Sequence, residues 1–225
     1  GFTSQTGWRS ASFTVPDAGI YSLRFIVSDL GDSGIDSALS LDIDVSPTAT
    51  PTPMTSPTPT PTGTPLPQSG GPLVLMGIDA EDGGPGGHGP ITVYKSVTSS
   101  IYNAASNAGT GILVIGGRKA ITDNVTRFWN EISAQSGIPI TYVNGAANIT
   151  NRSFAGFRMI AVPSDATNTS SGGLTQAEHN ALVARASDVA NFVNGGGGFL
   201  GFTSDFTNPY AYLSGVGTFT AAKVR

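Results

Sequence analysis

The 225-residue chain contains no cysteine. This absence excludes disulfide bonds, thiolate nucleophiles, cysteine zinc sites and iron–sulfur clusters. Charged residues are also scarce, at 12% of the sequence, against about 25% in ordinary soluble domains. With a net charge of −4 and no basic cluster, we expect no nucleic-acid partner. No apolar run approaches the roughly 18 residues that a membrane helix needs, so we expect no membrane span.

The place of charged residues is taken by Gly, Ser, Thr and Asn, which predict a polar but nearly neutral surface. Because the chain opens on Gly1 rather than methionine, we interpret it as a processed or excerpted part of a longer secreted product. Asn-x-Ser/Thr sequons fit an exterior location, and they begin at Asn124, Asn148, Asn151 and Asn168. We therefore expect the protein to be extracellular, at the cell surface.

A tract that alternates proline with threonine or serine runs from Ser46 to Gly71 and divides the chain. Its prolines block helix and sheet ladders, so it should form an extended polyproline-II spacer. Tracts of this composition are typical of O-glycosylated stalks, although a bare linker is the simpler alternative. The predicted organisation is a partial β-sandwich in 1–46, a linker in 47–71 and an α/β domain in 72–225. The threonines expected to carry O-linked sugar are Thr50, Thr52, Thr58, Thr60 and Thr62.

Residues 8–45 predict three short antiparallel strands, and three strands make only half of a sandwich. The missing strands must come from upstream residues or from another molecule, which makes other copies of the chain the expected partners. The turn between the last two strands holds Asp29, Asp32 and Asp36. Three carboxylates at this density suit calcium, while the alternative is that Asp is simply a good turn residue.

The same segment resembles the end of the choice-of-anchor β-sandwich domains of bacterial surface proteins. The resemblance covers about forty residues. The residues that carry it are Gly7, Trp8, Ala11, Ser12, Phe13, Val27, Ser28, Asp29, Gly31, Asp32, Asp36, Ser37, Ala38 and Leu39. It implies a sheet-forming segment of a surface protein.

From Gly71 onward the sequence alternates between strand and helix patterns. The apolar runs PLVLMGI, GILVIGG, IPITYV, FRMIAVPS and GFLGFTS predict five buried strands. The helix after the first strand should bury Val93, Val97 and Ile101, and the helix after the second should begin at Thr122 or Asp123 and bury Val125, Phe128, Trp129 and Ile132. A long helix should follow a Thr175-x-x-Glu178 capping box and end at Gly195. This alternation predicts a doubly wound, flavodoxin-like parallel sheet covered on both faces.

The order of elements and the ending FVNGGGGFLGFTSD resemble the class I glutamine amidotransferase-like superfamily and its trehalose-utilisation-like relatives. In that superfamily a glycine run, a strand and a Gly-x-Cys-x-Gly elbow expose the nucleophile. The resemblance places Thr203 at the cysteine position and Asp205 at the closing glycine. Both departures imply that amidotransferase chemistry is absent, because a hydroxyl nucleophile needs a positioned base.

Ligands of doubly wound sheets bind at the carboxyl ends of the strands, so we expect any functional residues to lie there. His88 lies on that rim and is a weak candidate base for Thr203, whereas His179, in the first turn of the long helix, is predicted to be a solvated surface residue. Asp79, Glu81 and Asp82 follow the first strand. They would serve calcium or magnesium or the hydroxyls of a sugar, and the alternative is a loop that packs against a neighbouring copy.

Two functional hypotheses follow from these patterns. The first is a non-catalytic extracellular structural protein, a glycosylated subunit of a surface filament or layer that assembles as a homopolymer through strand complementation. The second is a secreted hydrolase or carbohydrate-binding module that uses the rim of the α/β domain. The incomplete sandwich, the low-charge surface and the missing thiol favour the first.

Overall fold

The computed structural model describes residues 70–166, 172–203 and 206–219, which belong to one compact unit. Three parts of the prediction lie outside the described residues: the sandwich piece with Asp29, Asp32 and Asp36, the linker threonines that are expected to carry sugar, and Asp205. Within the described part, no helix combines the length and the apolar character that crossing a bilayer requires.

Strands and helices alternate along the described chain. The strands are β1 (Leu73–Met76), β2 (Ile112–Ile115), β3 (Ile140–Val143), β4 (Met159–Val162) and β5 (Gly198–Phe202). The helices are α1 (Ile91–Ala104), α2 (Asn124–Ser136), α3 (Ala146–Asn151), α4 (Gln176–Val183) and α5 (Ala186–Asn194), followed by a short 3-10 helix, Ala211–Leu213. The five strands confirm the predicted apolar runs, and α3 is an addition to the prediction.

All five strands form one parallel sheet in the order β1-β5-β4-β2-β3. This confirms the predicted α/β class with a parallel sheet. Read from the other edge, the order is β3-β2-β4-β5-β1. It matches the flavodoxin order 2-1-3-4-5 when β2, β3, β4 and β5 are counted as strands 1 to 4. The last position is taken by β1, the first strand of the domain. As a result, the acidic loop that follows β1 lies beside the end of β5, where Thr203 is located.

Alternate residues of the central strands pack into two separate cores, one on each face of the sheet. Ile112 and Val114 of β2 pack with α1 and α2, whereas Leu113 and Ile115 pack with α3, α4 and α5. Helices therefore cover both faces, as expected for a parallel sheet whose strands are apolar throughout. The predicted core residues of α2 are all buried, and Asp123 caps that helix by accepting a hydrogen bond from the Thr126 N–H at 2.6 Å.

The predicted buried face of α1 is correct for Ile101, and Val97 packs partly buried against the same core, but the prediction for Val93 is wrong. Tyr94, Thr98 and Ile101 are buried, while Val93 is 48% exposed. The Tyr94 ring packs edge-on against Phe128 at 5.3 Å between centroids. Because an aromatic ring buries more apolar area than a valine side chain, it decides which face of the helix turns inward.

The predicted single helix after the capping box is also wrong, because α4 ends at Val183 and α5 begins at Ala186. At the break, Arg185 donates hydrogen bonds to the carbonyls of Ile149 at 2.7 Å and Arg152 at 2.5 Å. Its guanidinium also lies 4.0 Å from the centre of the Phe154 ring. These tertiary contacts with the β3–β4 connection compensate for the interrupted helix. The capping box and the end at Gly195 are confirmed.

Candidate functional site

The carboxyl ends of β1, β5 and β4 bring together three polar side chains that are distant in sequence. Thr203 directly follows β5, and its N–H donates to the Met76 carbonyl at the end of β1, at 3.1 Å. Glu81 lies on the loop after β1, and Ser164 lies two residues beyond β4. This rim is the region in which the sequence placed the candidate chemistry.

Glu81 is fully buried, at 0% exposure. The Trp129 indole N–H donates to its Oε1 at 3.2 Å, and the Ser164 hydroxyl donates to its Oε2 at 3.1 Å. Burial disfavours the charged form and raises the pKa of Glu81 to about 7, although hydrogen bonds from the backbone, Ser164 and Trp129 partly oppose this effect. Glu81 therefore anchors its loop to α2 and β4, and its carboxyl group titrates near neutral pH.

The loop after β1 is folded into consecutive tight turns. The Asp82 N–H donates to the Asp79 carbonyl at 2.8 Å, and the Gly84 N–H donates to the Glu81 carbonyl at 2.9 Å. Gly87 packs so closely against Asp82 that a Cβ there would lie 1.9 Å from the Asp82 carbonyl oxygen. Only glycine permits this approach. The loop consequently folds back on itself and returns the next residue, His88, to the neighbourhood of Asp79 and Asp82.

Asp79, Asp82 and His88 form a partly buried cluster in which each residue offers one metal-binding atom, all within 4.8 Å of one another. The His88 Nδ1 lies 2.7 Å from the Asp79 Oδ1. The sequence had grouped Glu81 with the two aspartates, but in the structure the Glu81 carboxylate is bonded to Trp129 and Ser164 instead. His88 takes its place beside the aspartates. The signal for this lies in the sequence, because His88 is on the same glycine-rich loop, although the role predicted for His88 is that of a base.

Thr203, at the predicted nucleophile position, is 4% exposed. Its hydroxyl has no hydrogen-bond partner among the described residues, and the described polar contact of the His88 ring is to Asp79. The structure therefore shows no Thr203–His88 hydrogen bond in the described part of the chain. The arrangement lacks the hydroxyl–base contact on which nucleophilic catalysis depends.

The prediction that His179 is solvated is wrong. Its side chain is 4% exposed, and its Nε2 lies 3.0 Å from the Pro209 carbonyl oxygen. The ring packs against Phe206 and Tyr212, with centroids 5.0 Å and 5.8 Å away. The segment that follows β5 shields His179 from solvent. The residue pattern of α4 alone does not predict this contact.

A second charged group on the rim, missed from the sequence, is centred on Glu178 of the capping box. The Lys119 ammonium donates to Glu178 at 2.8 Å and also to the Gly116 carbonyl. The Gly145 N–H donates to the carboxylate at 2.7 Å, and the Thr175 N–H and hydroxyl each donate at 2.9 Å. Burial works against ionisation of Glu178, but these donors outweigh it and hold its pKa below the usual range. Burial lowers the pKa of Lys119, and Glu178 partly restores it.

Two open depressions, of about 460 and 310 Å³, lie away from this rim. Gly111 and Pro139, which line the larger one, immediately precede β2 and its neighbour β3, so it lies at the amino ends of the strands. Neither depression includes the clustered carboxylates or Thr203. The candidate chemistry therefore rests on the side-chain clusters of the carboxyl-end rim.

Comparisons of the chain with protein-family models, with curated proteins and with solved structures find no match. The resemblances drawn from the sequence therefore stay predictions, and the functional argument rests on the residues themselves.

Proposed function

We propose that the protein is a non-catalytic extracellular structural protein, a glycosylated subunit of a surface filament or layer. Its copies join by strand complementation through the sandwich piece, and the α/β domain is a folded module attached by the linker. The observation that carries the non-catalytic assignment is that the Thr203 side chain is buried and its hydroxyl has no described hydrogen-bond partner. A nucleophile must reach its substrate and a base, whereas Thr203 is 4% exposed.

Two charged groups on the rim, Glu81 and Glu178, support the same proposal, because their hydrogen bonds join parts of the protein to one another. Glu81 connects the β1–α1 loop to α2 and β4. Glu178 connects α4 to the loops after β2 and β3 through Lys119 and Gly145. Groups committed in this way stabilise the carboxyl-end rim of a parallel sheet and are not free to act on a substrate.

The Thr203→Val variant tests the non-catalytic assignment. Because the hydroxyl is buried without a described partner, its removal is expected to leave stability unchanged or raise it by about 1 kcal/mol. Unfolding in urea measures this, and Thr98→Val, another buried hydroxyl without a described partner, is the matched control. Turnover of ester, glycoside or glutamine substrates that is lost in Thr203→Val and kept in Thr98→Val would contradict the proposal.

The structural role is tested on the full glycosylated chain. Negative-stain electron microscopy is expected to show regular fibres or sheets, and intact mass spectrometry is expected to show O-linked sugar within residues 47–71. Monodisperse particles at every concentration would exclude assembly, and a bare polypeptide mass would exclude the glycosylated spacer. The two measurements fail independently, so they separate assembly from glycosylation.

The second candidate is a secreted hydrolase or carbohydrate-binding module. The observation that favours it is the partly exposed cluster of Asp79, Asp82 and His88 at the strand ends. Binding of soluble glycans that is lost in Asp82→Asn would support this candidate over the structural role.

A further inference from the structure

We propose that the loop between β1 and α1 binds one divalent transition-metal ion of the zinc class through Asp79, Asp82 and His88. This inference does not depend on the structural role proposed above, since the loop is formed within the α/β domain alone. It changes both the ligand set and the ion expected from the sequence, which were Asp79, Glu81 and Asp82 with calcium or magnesium.

The spacing of the donor atoms suits a single ion. Zinc binds imidazole nitrogen and carboxylate oxygen at about 2.0–2.2 Å, so neighbouring ligand atoms lie about 3–3.5 Å apart around it. The three donors here lie within 4.8 Å of one another, and the closest contact, His88 Nδ1 to Asp79 Oδ1, is 2.7 Å. These separations bracket the spacing expected around a single ion.

The loop holds these donors together through anchors that are themselves buried. The Tyr94 hydroxyl, on α1, donates to the His88 carbonyl, and Glu81 fixes the segment between the two aspartates to Trp129 and Ser164. The Gly87–Asp82 contact closes the loop between the anchors. An ion therefore meets ligands whose backbone is already ordered, which lowers the entropy cost of binding.

The charge of the cluster also favours a cation. Two carboxylates face a single imidazole, so the group keeps excess negative charge when the imidazole is protonated and more when it is neutral. With both aspartates partly buried, solvent screens that repulsion less than on an open surface. A divalent ion would neutralise the two carboxylates and bind the His88 Nδ1, which has no described hydrogen-bond partner.

The type of donor distinguishes zinc from calcium. Calcium takes six to eight oxygen ligands, whereas imidazole suits zinc, copper, iron and nickel. Glu81, which would have provided the third carboxylate of a calcium site, is turned into the core and bonded there. One nitrogen and two carboxylates remain, which are donor types that zinc binds, and three protein ligands leave its fourth position open for water.

Titration calorimetry of the full, tag-free chain with zinc chloride tests the site. We expect one ion per chain and at least tenfold weaker binding of calcium and magnesium chlorides. His88→Ala and Asp82→Asn should each weaken zinc binding at least tenfold while leaving the circular dichroism spectrum unchanged. Asp188→Asn is the matched control, because Asp188 is a surface carboxylate paired with Arg185, and it should bind zinc as the unmodified protein does.

Electron paramagnetic resonance with copper(II) as the probe identifies the nitrogen donor. The unmodified protein and Asp188→Asn should show hyperfine structure from one imidazole nitrogen, which His88→Ala should lose. Zinc affinity no higher than calcium affinity, or zinc binding that is unchanged in both His88→Ala and Asp82→Asn, would overturn the proposal.

Discussion

Replacing Glu178 with alanine is expected to lower the free energy of unfolding by about 3 kcal/mol, the lower end of the cost of removing one partner of a buried ion pair. The Glu178 side chain is 3% exposed, but Lys119 keeps 30% exposure, so water offsets part of the loss. The substitution leaves the Lys119 ammonium without its carboxylate and the Gly145 N–H without its acceptor. It also removes half of the capping box of α4.

Urea unfolding of Glu178→Ala measures this loss. Asp188→Ala is the matched control, because its pair with Arg185 leaves the Asp188 side chain 53% exposed and exposed pairs contribute at most about 1 kcal/mol. The double variant Glu178→Ala/Lys119→Met should recover part of the loss, since no buried charge is then left unpaired. Equal stabilities of Glu178→Ala and Asp188→Ala would show that the Lys119–Glu178 pair contributes no more than a surface pair.

The elements that the sequence predicted correctly are those whose signals are local. The strands β2 and β4 are apolar at every position. A short apolar run of this kind fits a strand that is buried on both faces of the sheet. The helix α2 combines a capping aspartate with an apolar stripe at helical spacing, so both its start and its buried face were predictable. The capping box of α4 depends on two residues three positions apart.

The features that were mispredicted, or that the sequence left open, depend on contacts between distant residues. The order of strands in the sheet, including the position of β1 beside β5, follows from how the crossovers pack and not from the strand sequences. Burial of His179 depends on the segment after β5, which returns to cover α4. The break between α4 and α5 depends on carbonyl partners of Arg185 in the β3–β4 connection.

The candidate site shows the same division between local and distant causes. The sequence places Asp79, Glu81 and Asp82 within four residues, and a turn of this kind gives no indication of which side chain points inward. Trp129, 48 residues away, provides the buried hydrogen bond that selects Glu81. His88 returns to the aspartates only because Gly87 tolerates a contact that any side chain would block. The loop was therefore predictable as an acidic site, and its ligand set was not.

The protein is expected to lose stability as the pH rises from about 4.5 to about 7, because Glu81 holds its proton more tightly in the folded state. The pKa of its buried carboxyl is raised from 4.5 to about 7. The unfolded chain therefore ionises first as the pH rises, and the free energy of unfolding falls over this interval. Below it Glu81 is protonated in both states, and above it Glu81 is ionised in both. A shift of this size corresponds to about 3 kcal/mol.

The Glu81→Gln variant isolates this contribution, because the amide cannot ionise and can keep two of the contacts. Its oxygen accepts from the Trp129 indole, and its NH₂ group donates to the Ser164 hydroxyl oxygen, which can also accept. Neither partner titrates, so the pH dependence that the substitution removes belongs to Glu81.

Urea unfolding between pH 4 and 8 should show a decline in stability in the unmodified protein and in the control Glu131→Gln. Glu131 is a helix-surface carboxylate bonded to Gln135. In Glu81→Gln the decline should be smaller by about 3 kcal/mol, so that this variant is the more stable protein at pH 8. An equal decline in all three proteins would show that the titrating group is not Glu81.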